Sequence, residues 1–448
     1  MLDLNFIREN KELVKKNAER RGVNPKKADI DRLLTLDEQK RKLTTETDAL
    51  RAKKNDLAGQ FVKADETGKA KLKTEGETLK EQTQKNEETL RALEKEIIEL
   101  LAWIPNILSK DTPEGKGEDD NTEIKVWHPE KGYLPKGKLG KATNNKSEKF
   151  MGKLPFDGKN HIALGEKLGI IDLKQAAKVS GTRFYYLRGD AVLLQNAMQQ
   201  FLATELNKRG FTPTMPPILI RERALYGTSH FPEGYDQVYR IENDNVEDNN
   251  KLYLAGTSEP SNFAYFMDTT LSDKELPAKL YSITPCFRSE VGSWGKDVKG
   301  IKRVHQFTKL EMDVVCKPEE SGKIFDELLE INEWFYQALK LPYRVIQKCP
   351  GDAGYLATHK QYDVEGWRPT EKEWMELGTD TNATDYQART LGIKYVSADK
   401  KKRYAHTVNN TGVTDRALIM ILENYQQKDG SVLVPKILRE IVGKEKIE

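Results

Sequence analysis

The sequence is poor in cysteine, has no long apolar run and carries almost no net charge, and each shortage excludes a class of protein. The three cysteines among 448 residues, Cys286, Cys316 and Cys349, are too few and too widely spaced for a disulfide framework or a structural zinc site, so we expect buried free thiols. No apolar stretch reaches the length that a bilayer requires, which argues against a membrane role. The net charge of +3, from 73 basic and 70 acidic residues, does not by itself indicate a nucleic-acid-binding protein.

The length of the chain and its first residues set two further expectations. A chain of 448 residues exceeds what one hydrophobic core usually supports, so we expect two unequal domains. The segment 1–6 contains no basic region followed by an apolar stretch. It therefore predicts no secretory signal and a cytoplasmic location.

Leucines at intervals of seven mark two helical segments in the first quarter of the chain. The first run comprises Leu36, Leu43, Leu50 and Leu57, and the second comprises Leu72, Leu79, Leu93 and Leu100. Such heptads are typical of coiled-coil helices. The polar segment 63–68 between them ends in glycine, where the chain can reverse. We therefore predict an antiparallel two-helix arm over residues 30–102, which must project from a larger body because two helices bury too little apolar surface for a core.

The charge along this arm is uneven. Between residues 51 and 73 seven basic residues face three acids, and the basic ones are Arg51, Lys53, Lys54, Lys63, Lys69, Lys71 and Lys73. A long helical pair is often a dimerisation or spacer element, and the heptads alone do not distinguish these roles. A basic, extended tip can instead contact phosphates through counterion release. The charge therefore favours a nucleic-acid-binding arm.

The rest of the chain is predicted to form a connecting region followed by a domain of mixed helices and strands. Pro105 ends the second helix, so we assign residues 1–110 to an N-terminal domain, 111–149 to a linker and mobile loop, and 150–448 to a second, larger domain. Apolar patterns in this last domain predict helices at 190–209, 323–339 and 416–425, and strands at 252–255, 280–283 and 312–315. Strands without regular crossover helices between them favour an antiparallel sheet in an α+β fold.

The segment 286–311 carries the strongest chemical signal. Cys-Phe-Arg-Ser-Glu at 286–290 is followed by a loop rich in glycine and lysine, and the chain returns through Val-His-Gln-Phe-Thr-Lys-Leu-Glu at 304–311. The loop contributes Gly292, Gly295, Gly300, Lys296, Lys299, Lys302 and Arg303. A fixed cation, flexible glycines and returning aromatic and acidic side chains are what a nucleoside triphosphate site requires.

This segment resembles the second signature motif of class II aminoacyl-tRNA synthetases, in its seryl version. The first motif matches 210–217 and the third matches 412–416, in the expected order. Further seryl-type features lie at 181–184, 257–259, 376–379, Asn382, 387–389 and 422–426, so the resemblance spans essentially the whole chain. It implies a class II antiparallel β-sheet body flanked by helices, with an N-terminal coiled-coil arm. It also implies a homodimer, formed through 210–217, that activates L-serine with ATP and Mg²⁺ and transfers it to serine tRNA.

The resemblance also implies a role for individual residues. Arg288 would hold the α-phosphate of ATP and Arg416 the γ-phosphate, with Glu376 and Thr379 binding Mg²⁺. The remaining ATP contacts would be Ser289, Glu290 on the adenine amino group, Val304, Phe307 stacked on adenine, Leu377 and Gly378. Serine would be bound by Thr257, Ser258, Glu259, Glu311 on its ammonium group and Thr411 on its hydroxyl. The seven basic residues of the arm would contact tRNA, whereas His305 is interpreted as structural.

Two departures from the seryl pattern and three alternatives accompany this interpretation. The segment 411–416 is one residue shorter than usual, and Gly378-Thr379 stands where a serine pair is common. A ligase that loads an amino acid onto a carrier protein would generally lack the arm, and a threonyl-type enzyme would need zinc ligands. An inactive scaffold would have lost residues of the nucleotide site. Whether the selenocysteine tRNA is also a substrate stays open.

Overall fold

The chain forms two compact units, which we describe separately. The computed structural model describes residues 1–242, 251–292 and 300–448. The first unit is Met1–Pro105 and the second is Asn106–Glu448.

The first unit consists of two short helices followed by two long ones. They are α1 (Leu4–Glu9), α2 (Lys11–Arg20), α3 (Ile30–Phe61) and α4 (Glu66–Leu101). The Asp29 side chain caps α3 by accepting the Arg32 N–H at 2.9 Å, and Asp65 caps α4 by accepting the Gly68 N–H at 2.8 Å. The predicted antiparallel helical arm is confirmed. Each helix is roughly 50 Å long at about 1.5 Å per residue.

Packing between α3 and α4 is apolar near the base of the arm and polar towards its tip. Leu33 and Ile97 are buried, whereas the heptad leucines Leu50 and Leu57 are only partly covered. Ion pairs between the helices supplement this thin seam: Lys40 lies 3.0 Å from Glu94, and Arg51 Nη2 lies 2.8 Å from Glu87. Exposed pairs of this kind contribute only about 0–1 kcal/mol each, so the outer arm is held weakly.

The second unit is built on a large, mostly antiparallel sheet. Its helices are α5 (Asn145–Met151), α6 (His161–Lys167), α7 (Leu173–Ser180), α8 (Asp190–Lys208), α9 (Glu222–Gly227), α10 (Glu259–Ala264), α11 (Ser321–Ala338), α12 (Tyr386–Leu391), α13 (Arg416–Asn424) and α14 (Arg439–Val442). Its strands are β1 (Thr122–His128), β2 (Gly132–Tyr133), β3 (Ile171–Asp172), β4 (Tyr186–Leu187), β5 (Thr212–Thr214), β6 (Leu219–Arg221), β7 (Arg240–Ile241), β8 (Leu252–Leu254), β9 (Thr270–Leu271), β10 (Ala278–Phe287), β11 (Gln306–Cys316), β12 (Tyr343–Gln347), β13 (Lys360–Arg368), β14 (Glu373–Thr384), β15 (Lys394–Val396), β16 (Lys402–Tyr404), β17 (His406–Thr414), β18 (Val432–Leu433) and β19 (Lys446–Ile447). The predicted α+β class with an antiparallel sheet is confirmed.

The strand order of the large sheet brings distant segments together at its centre. Among the described residues the order is β2-β1-β12-β13-β14-β17-β11-β10-β5, and only β5 runs parallel to its neighbour. Long helices α8, α11 and α13 contribute apolar side chains such as Leu202, Leu328 and Leu418 to one continuous core with this sheet. The motif strands β10 and β11 therefore lie beside β17 and β14, which come about a hundred residues later in the chain.

The structure corrects the interpretation of 111–149 as a linker and mobile loop. Within this segment β1 pairs antiparallel with β12, and β2 extends the sheet beyond it. The buried Glu123 and Val126 attach the segment to the body, and Arg344 Nη1 donates to Glu123 Oε1 at 3.2 Å. The charged residues of β1 and the glycine- and proline-containing segments around β1 and β2 concealed these strands in the sequence, because strands near a sheet edge tolerate such residues.

The cysteines meet the expectation of buried free thiols. Cys286, Cys316 and Cys349 are buried free thiols. None of the helices in the described ranges combines the length and apolar character needed to cross a membrane.

Candidate active site

Two adjoining cavities lie where β10, β11, β14 and β17 meet. The arginine cavity is lined by Arg288, Glu290, Ile301, Lys302, Arg303, Val304, Phe307, Lys309, Glu376, Leu377, Gly378, Thr411, Thr414, Asp415 and Arg416. The carboxylate cavity is lined by Thr257, Glu259, Arg288, Lys309, Glu311, Gly354, Tyr355, Ala357, Thr358, Gln361, Glu376, Thr379, Thr381, Gln387, Asn409 and Thr411. Arg288, Lys309, Glu376 and Thr411 line both, so the two cavities form one site.

Two irregularities in strand pairing determine which side chains face this site. Between β13 and β14 the register shifts so that Leu377 is an extra residue, and between β11 and β17 Gly412 is the extra residue. An inserted residue reverses the alternation of side chains along a strand. As a result Glu376 shares a face with Thr379, although the two are three positions apart and strict alternation would place them on opposite faces.

Glycine is required at Gly412 by the close packing around it. A Cβ added to Gly412 would lie 2.7 Å from Leu310 Cδ2 and 2.9 Å from Leu202 Cδ2. The extra residue in β17 therefore fits this closely packed position best when it has no side chain. It places Thr411 opposite Glu311, in the segment where the sequence is one residue shorter than the seryl pattern.

Two arginines from distant segments face the arginine cavity. Arg288 follows β10, its Nε donates to the Gly256 carbonyl at 3.3 Å, and its guanidinium carbon lies 5.4 Å from the Phe307 ring centroid. Arg416 is the first residue of α13, and its Nη1 donates to Glu376 Oε1 at 3.0 Å. The cavity thus joins two permanent cations with an aromatic face, a combination that suits an anionic, aromatic ligand.

Glu376 stands between the two arginines. Desolvation by the cavity walls acts to raise the pKa of this partly exposed carboxyl, but Arg416, Lys348 and Arg288 outweigh desolvation and hold the pKa below its ordinary value. The carboxylate is therefore ionised at neutral pH. It can accept hydrogen bonds or bind a cation from the cavity.

Glu290 lies at the rim of the same cavity in a strained conformation. Its φ is +51°, which is uncommon for a residue with a side chain. Its carbonyl accepts from Arg183 Nη1 at 3.0 Å, and its carboxylate pairs with Arg303. These contacts fix the residue beside Val304, as a recognition role would require.

Acidic side chains are concentrated in the carboxylate cavity, where Glu259 and Glu311 lie, and beside it, where Asp313 lies. Glu259, Glu311 and Asp313 are all nearly inaccessible to solvent. Burial, followed by the nearby Glu311, raises the pKa of Glu259 to about 7. Burial and Glu311 also raise the pKa of Asp313 well above its ordinary value. Since the cavity disfavours further negative charge, it suits a ligand that carries a cation.

Neutral groups orient Glu259. Gln387 Nε2 donates to Glu259 Oε1 at 2.7 Å, and the Thr407 hydroxyl holds Gln387 by donating to its Oε1 at 2.6 Å. His230 Nε2 lies 3.9 Å from Glu259 Oε2, and burial lowers the pKa of His230 to about 3. His230 is therefore neutral and leaves Glu259 without a full ion-pair partner on that side.

Most residues that the sequence assigned to the site line these cavities, with two exceptions. Ser289, assigned to ATP, donates its hydroxyl to the Asp236 carbonyl on a neighbouring loop and does not line the arginine cavity. Ser258, assigned to serine, is buried at the start of α10 and lies outside the lining of the carboxylate cavity. Both serines are next in sequence to residues that line the cavities, but their own side chains do not line them. His305 contacts backbone, with Nδ1 lying 3.0 Å from the Arg288 carbonyl oxygen.

The structure adds residues to which the sequence gave no role. Lys309, Tyr355, Gln387 and Asn409 all line the carboxylate cavity. Lys309 precedes Glu311 by two residues on β11, and this strand spacing was the available signal for it. Gly295, Lys296 and Lys299 of the predicted triphosphate loop lie outside the described residues.

The chain is similar to known proteins over its whole length. The profile described as "Seryl-tRNA synthetase N-terminal domain" matches residues 1–108, and that of "tRNA synthetase class II core domain (G, H, P, S and T)" matches 239–425. The serine–tRNA ligase of Rubrobacter xylanophilus is 38% identical over 100% of this chain and 99% of its own length, and that of Pyrococcus abyssi is 39% identical over 100% and 97%. The crystal structure of seryl-tRNA synthetase from Pyrococcus horikoshii complexed with ATP is 35% identical and superimposes with a TM-score of 0.87, covering 100% of this chain and 99% of that one.

Proposed function

The chain belongs to the seryl-tRNA synthetases and is a serine–tRNA ligase with the class II fold, and from this premise we propose that it forms seryl-adenylate across the two cavities. ATP would occupy the arginine cavity and serine the carboxylate cavity. One observation carries the proposal: Arg288, Lys309, Glu376 and Thr411 line both cavities. Bound together, the two substrates would meet at this shared wall.

The arginine cavity suits a triphosphate held at two points. Arg288 would bind the α-phosphate and Arg416 the γ-phosphate, because guanidinium groups stay charged and bind phosphate oxygens bidentately. Arg416 exchanges its bond to Glu376 for a phosphate bond when ATP enters. ATP as the ligand agrees with the ATP-bound relative of Pyrococcus horikoshii.

The remaining lining of the arginine cavity suits adenine. Phe307 would stack on the ring, and the Arg288 guanidinium carbon lies 5.4 Å from the Phe307 ring centroid. Val304 and Leu377 would cover the ring edge, and Glu290 would accept a hydrogen bond from the adenine amino group. Gly378 would form part of the same wall, and its missing side chain lets β14 pack against the Thr411 carbonyl.

The carboxylate cavity suits serine. Glu311 would pair with the ammonium group through Oε1, which already accepts from Asn409 Nδ2 at 3.2 Å. Glu259 and Thr257 would complete the polar wall, and Thr411 would receive the serine hydroxyl. A pocket built to bond a hydroxyl rejects alanine by about 10⁴, because its buried polar groups are otherwise left unpaired.

The reaction needs position and charge stabilisation more than proton transfer. A carboxylate oxygen of serine forms a bond to the α-phosphorus, and the bond from that phosphorus to the bridging oxygen breaks, releasing pyrophosphate with the electron pair. Arg288 stabilises the charge that develops on the α-phosphoryl oxygens. The ribose 3′-hydroxyl of tRNA then attacks the seryl carbonyl carbon and displaces AMP.

Mg²⁺ is the metal that such a nucleotide site implies, and the side chains present fit it. Among the described residues no group of three or more His, Cys, Asp or Glu side chains could hold a metal ion by itself. Mg²⁺ usually takes one or two protein oxygens and completes its shell with water and phosphate. The ionised Glu376 and the Thr379 hydroxyl, which share one face of β14, would supply those oxygens. Bound there, the ion would neutralise phosphate charge.

The arm would bind serine tRNA through its tip. Lys53, Lys54, Lys63, Lys69, Lys71 and Lys73 are exposed on the outer arm, so their charges are available to phosphates. Arg51 differs, because it already pairs with Asp48 and Glu87. We expect the lysines to contribute more of the salt-dependent binding than Arg51 does.

Dimerisation through 210–217 would cover an apolar surface beside the site. Met215 is 95% exposed, and Tyr265 next to it is 76% exposed. Both line a groove with Pro216, Pro217 and Leu219. Apolar grooves of this kind mark association surfaces, so we propose a homodimer, acting in the cytoplasm.

Serine-dependent exchange of pyrophosphate into ATP tests the proposal. The full chain should catalyse exchange with serine and aminoacylate serine tRNA. Deleting 35–100 should preserve the exchange, because both cavities lie in the second unit, and should abolish aminoacylation. If the full chain catalysed serine-dependent exchange but did not transfer serine to tRNA, a ligase that loads a carrier protein would be favoured. If it catalysed no exchange at all, the proposal that it activates serine would be contradicted.

A further inference from the structure

Lys309 is a buried cation that the adenylation chemistry described above does not use. It lies on β11, is only 6% exposed and contributes to the walls of both cavities. Burying a lysine costs free energy unless its charge is paired, so the contacts of Lys309 determine whether its burial is tolerated. Those contacts are an ion pair with Glu311 and a hydrogen bond to Thr411.

The hydrogen bonds around Lys309 have a fixed direction. An ammonium group only donates, so Lys309 Nζ donates to Thr411 Oγ1 across 3.0 Å. The Thr411 hydroxyl directs its own hydrogen to Glu311 Oε2 at 3.4 Å. A hydroxyl has one hydrogen and two lone pairs. After these two contacts, Thr411 retains one lone pair, with which it can only accept.

The strand geometry makes this arrangement specific. Lys309 and Glu311 are two residues apart on one face of β11, and the extra residue Gly412 places Thr411 opposite Glu311. Asn409 Nδ2 donates a hydrogen bond to Glu311 Oε1 at 3.2 Å. The carboxylate is therefore bonded on both oxygens before any ligand enters, and it cannot rotate freely.

We propose that Lys309 is a positioning residue for serine selection, which sets the polarity of the Thr411 hydroxyl so that the pocket accepts a hydrogen bond from the substrate hydroxyl. The inference rests on serine activation in the carboxylate cavity and adds the origin of its side-chain specificity. Without Lys309, the Thr411 hydroxyl could turn and offer either a donor or an acceptor. Glu311 would also lose its internal counter-charge.

A double-mutant cycle on the full chain separates this role from a general structural one. Lys309→Met keeps the length and apolar stem but removes the donor, and Thr411→Val keeps the shape but removes the hydroxyl. Exchange assays should give a rise of about 10- to 100-fold in KM for serine with Lys309→Met, while KM for ATP changes by less than about threefold. The preference for serine over alanine should fall by about tenfold or more in each single variant.

The coupling between the two positions is the decisive readout. Once Lys309 is replaced, adding Thr411→Val should lower the serine preference by less than about threefold, because the hydroxyl polarity is already lost. Lys279→Met is the matched control. This lysine lies on the adjacent β10, is largely buried and pairs with Glu327 at 2.7 Å, but lies outside both cavities.

Three outcomes would overturn the proposal. They are additive effects of the two substitutions, an equal rise in the KM values of serine and ATP, and an unchanged serine preference in Lys309→Met. If Lys309→Met does not fold, Lys309→Gln takes its place, and failure of both to fold would assign Lys309 to the core. Absence of serine exchange in the unmodified chain would instead contradict the proposed function itself.

Discussion

Replacing Glu259 with glutamine should stabilise the protein at high pH while weakening its use of serine. Glu259 is 6% exposed, and burial together with Glu311 raises its pKa to about 7 from the ordinary 4.5. A carboxyl whose pKa is raised by folding supports the fold when protonated. That support is complete below the unfolded pKa and is lost as the pH rises through the folded pKa.

The size of the effect follows from the two pKa values. The difference between 4.5 and about 7 corresponds to about 3 kcal/mol, lost mostly between pH 4.5 and pH 7. A glutamine has no charge to bury. The stability gained by Glu259→Gln should therefore grow by roughly 2–3 kcal/mol between pH 5 and pH 8.

Local contacts allow the amide to fit. Gln387 Nε2 can still donate to the side-chain oxygen, as it now does at 2.7 Å. On the other side, the Thr228 hydroxyl donates to Ala224 and so accepts from His230 Nδ1, which leaves His230 Nε2 as an acceptor. That nitrogen has no hydrogen-bond partner among the described residues. An amide N–H at residue 259 could supply one once the two side chains move closer than the present 3.9 Å.

The assay is urea unfolding of both proteins at several pH values. Unfolding is monitored by tryptophan fluorescence, to which Trp334 and Trp367 in the second unit contribute. Glu233→Gln, which removes a charge from an exposed residue of the same unit, is the control. A stability gain that is the same at pH 5 and pH 8 would refute the reasoning about burial. The variant should meanwhile raise KM for serine, because the ammonium group loses a carboxylate.

Three further predictions concern the nucleotide, the strand packing and the arm. Arg416→Met should raise KM for ATP by about 10- to 100-fold in the exchange assay with little effect on serine, and an unchanged KM would contradict the γ-phosphate contact. Gly378→Ala should destabilise the protein by about 1–3 kcal/mol, because the new Cβ would lie 2.7 Å from the Thr411 carbonyl oxygen. Gly322→Ala, with no neighbouring atom within 4 Å, should not destabilise it, and equal unfolding midpoints for the two variants would argue against this packing. Reversing the charges of Lys63, Lys69, Lys71 and Lys73 should weaken tRNA binding and flatten its salt dependence without changing serine exchange, whereas binding that stays indifferent to salt would exclude phosphate contacts.

Long apolar patterns could be predicted well from the sequence. The helix expected at 190–209 is Asp190–Lys208, and the one expected at 416–425 is Arg416–Asn424. The strands expected at 280–283 and 312–315 are pieces of the longer β10 and β11. Polar residues beyond those pieces, such as Lys309 and Glu311, line the cavities and weaken the apolar signal from which strands are recognised.

The strands β13, β14 and β17 were not predicted at all, for the same reason. Asp363, Glu376, Thr379 and Thr411 interrupt any apolar run. Burial of a carboxylate such as Asp363 is tolerated because a partner arrives from another segment: Lys348 Nζ lies 3.0 Å from Asp363 Oδ2. Such long-range partners have no signature in the local sequence. The resemblance to the synthetases supplied what hydrophobic periodicity could not.

The two strand irregularities show why residue assignment depended on the fold. Strict alternation along β14 would place Glu376 and Thr379 on opposite faces, and along β17 it would do the same to Thr411 and Thr414. The extra residues Leu377 and Gly412 reverse the alternation in both strands, at the same end of the pair. All four side chains therefore face the cavities. Because a bulge on one strand alone would leave one group of the other strand facing away from the substrates, the two irregularities act as one structural feature.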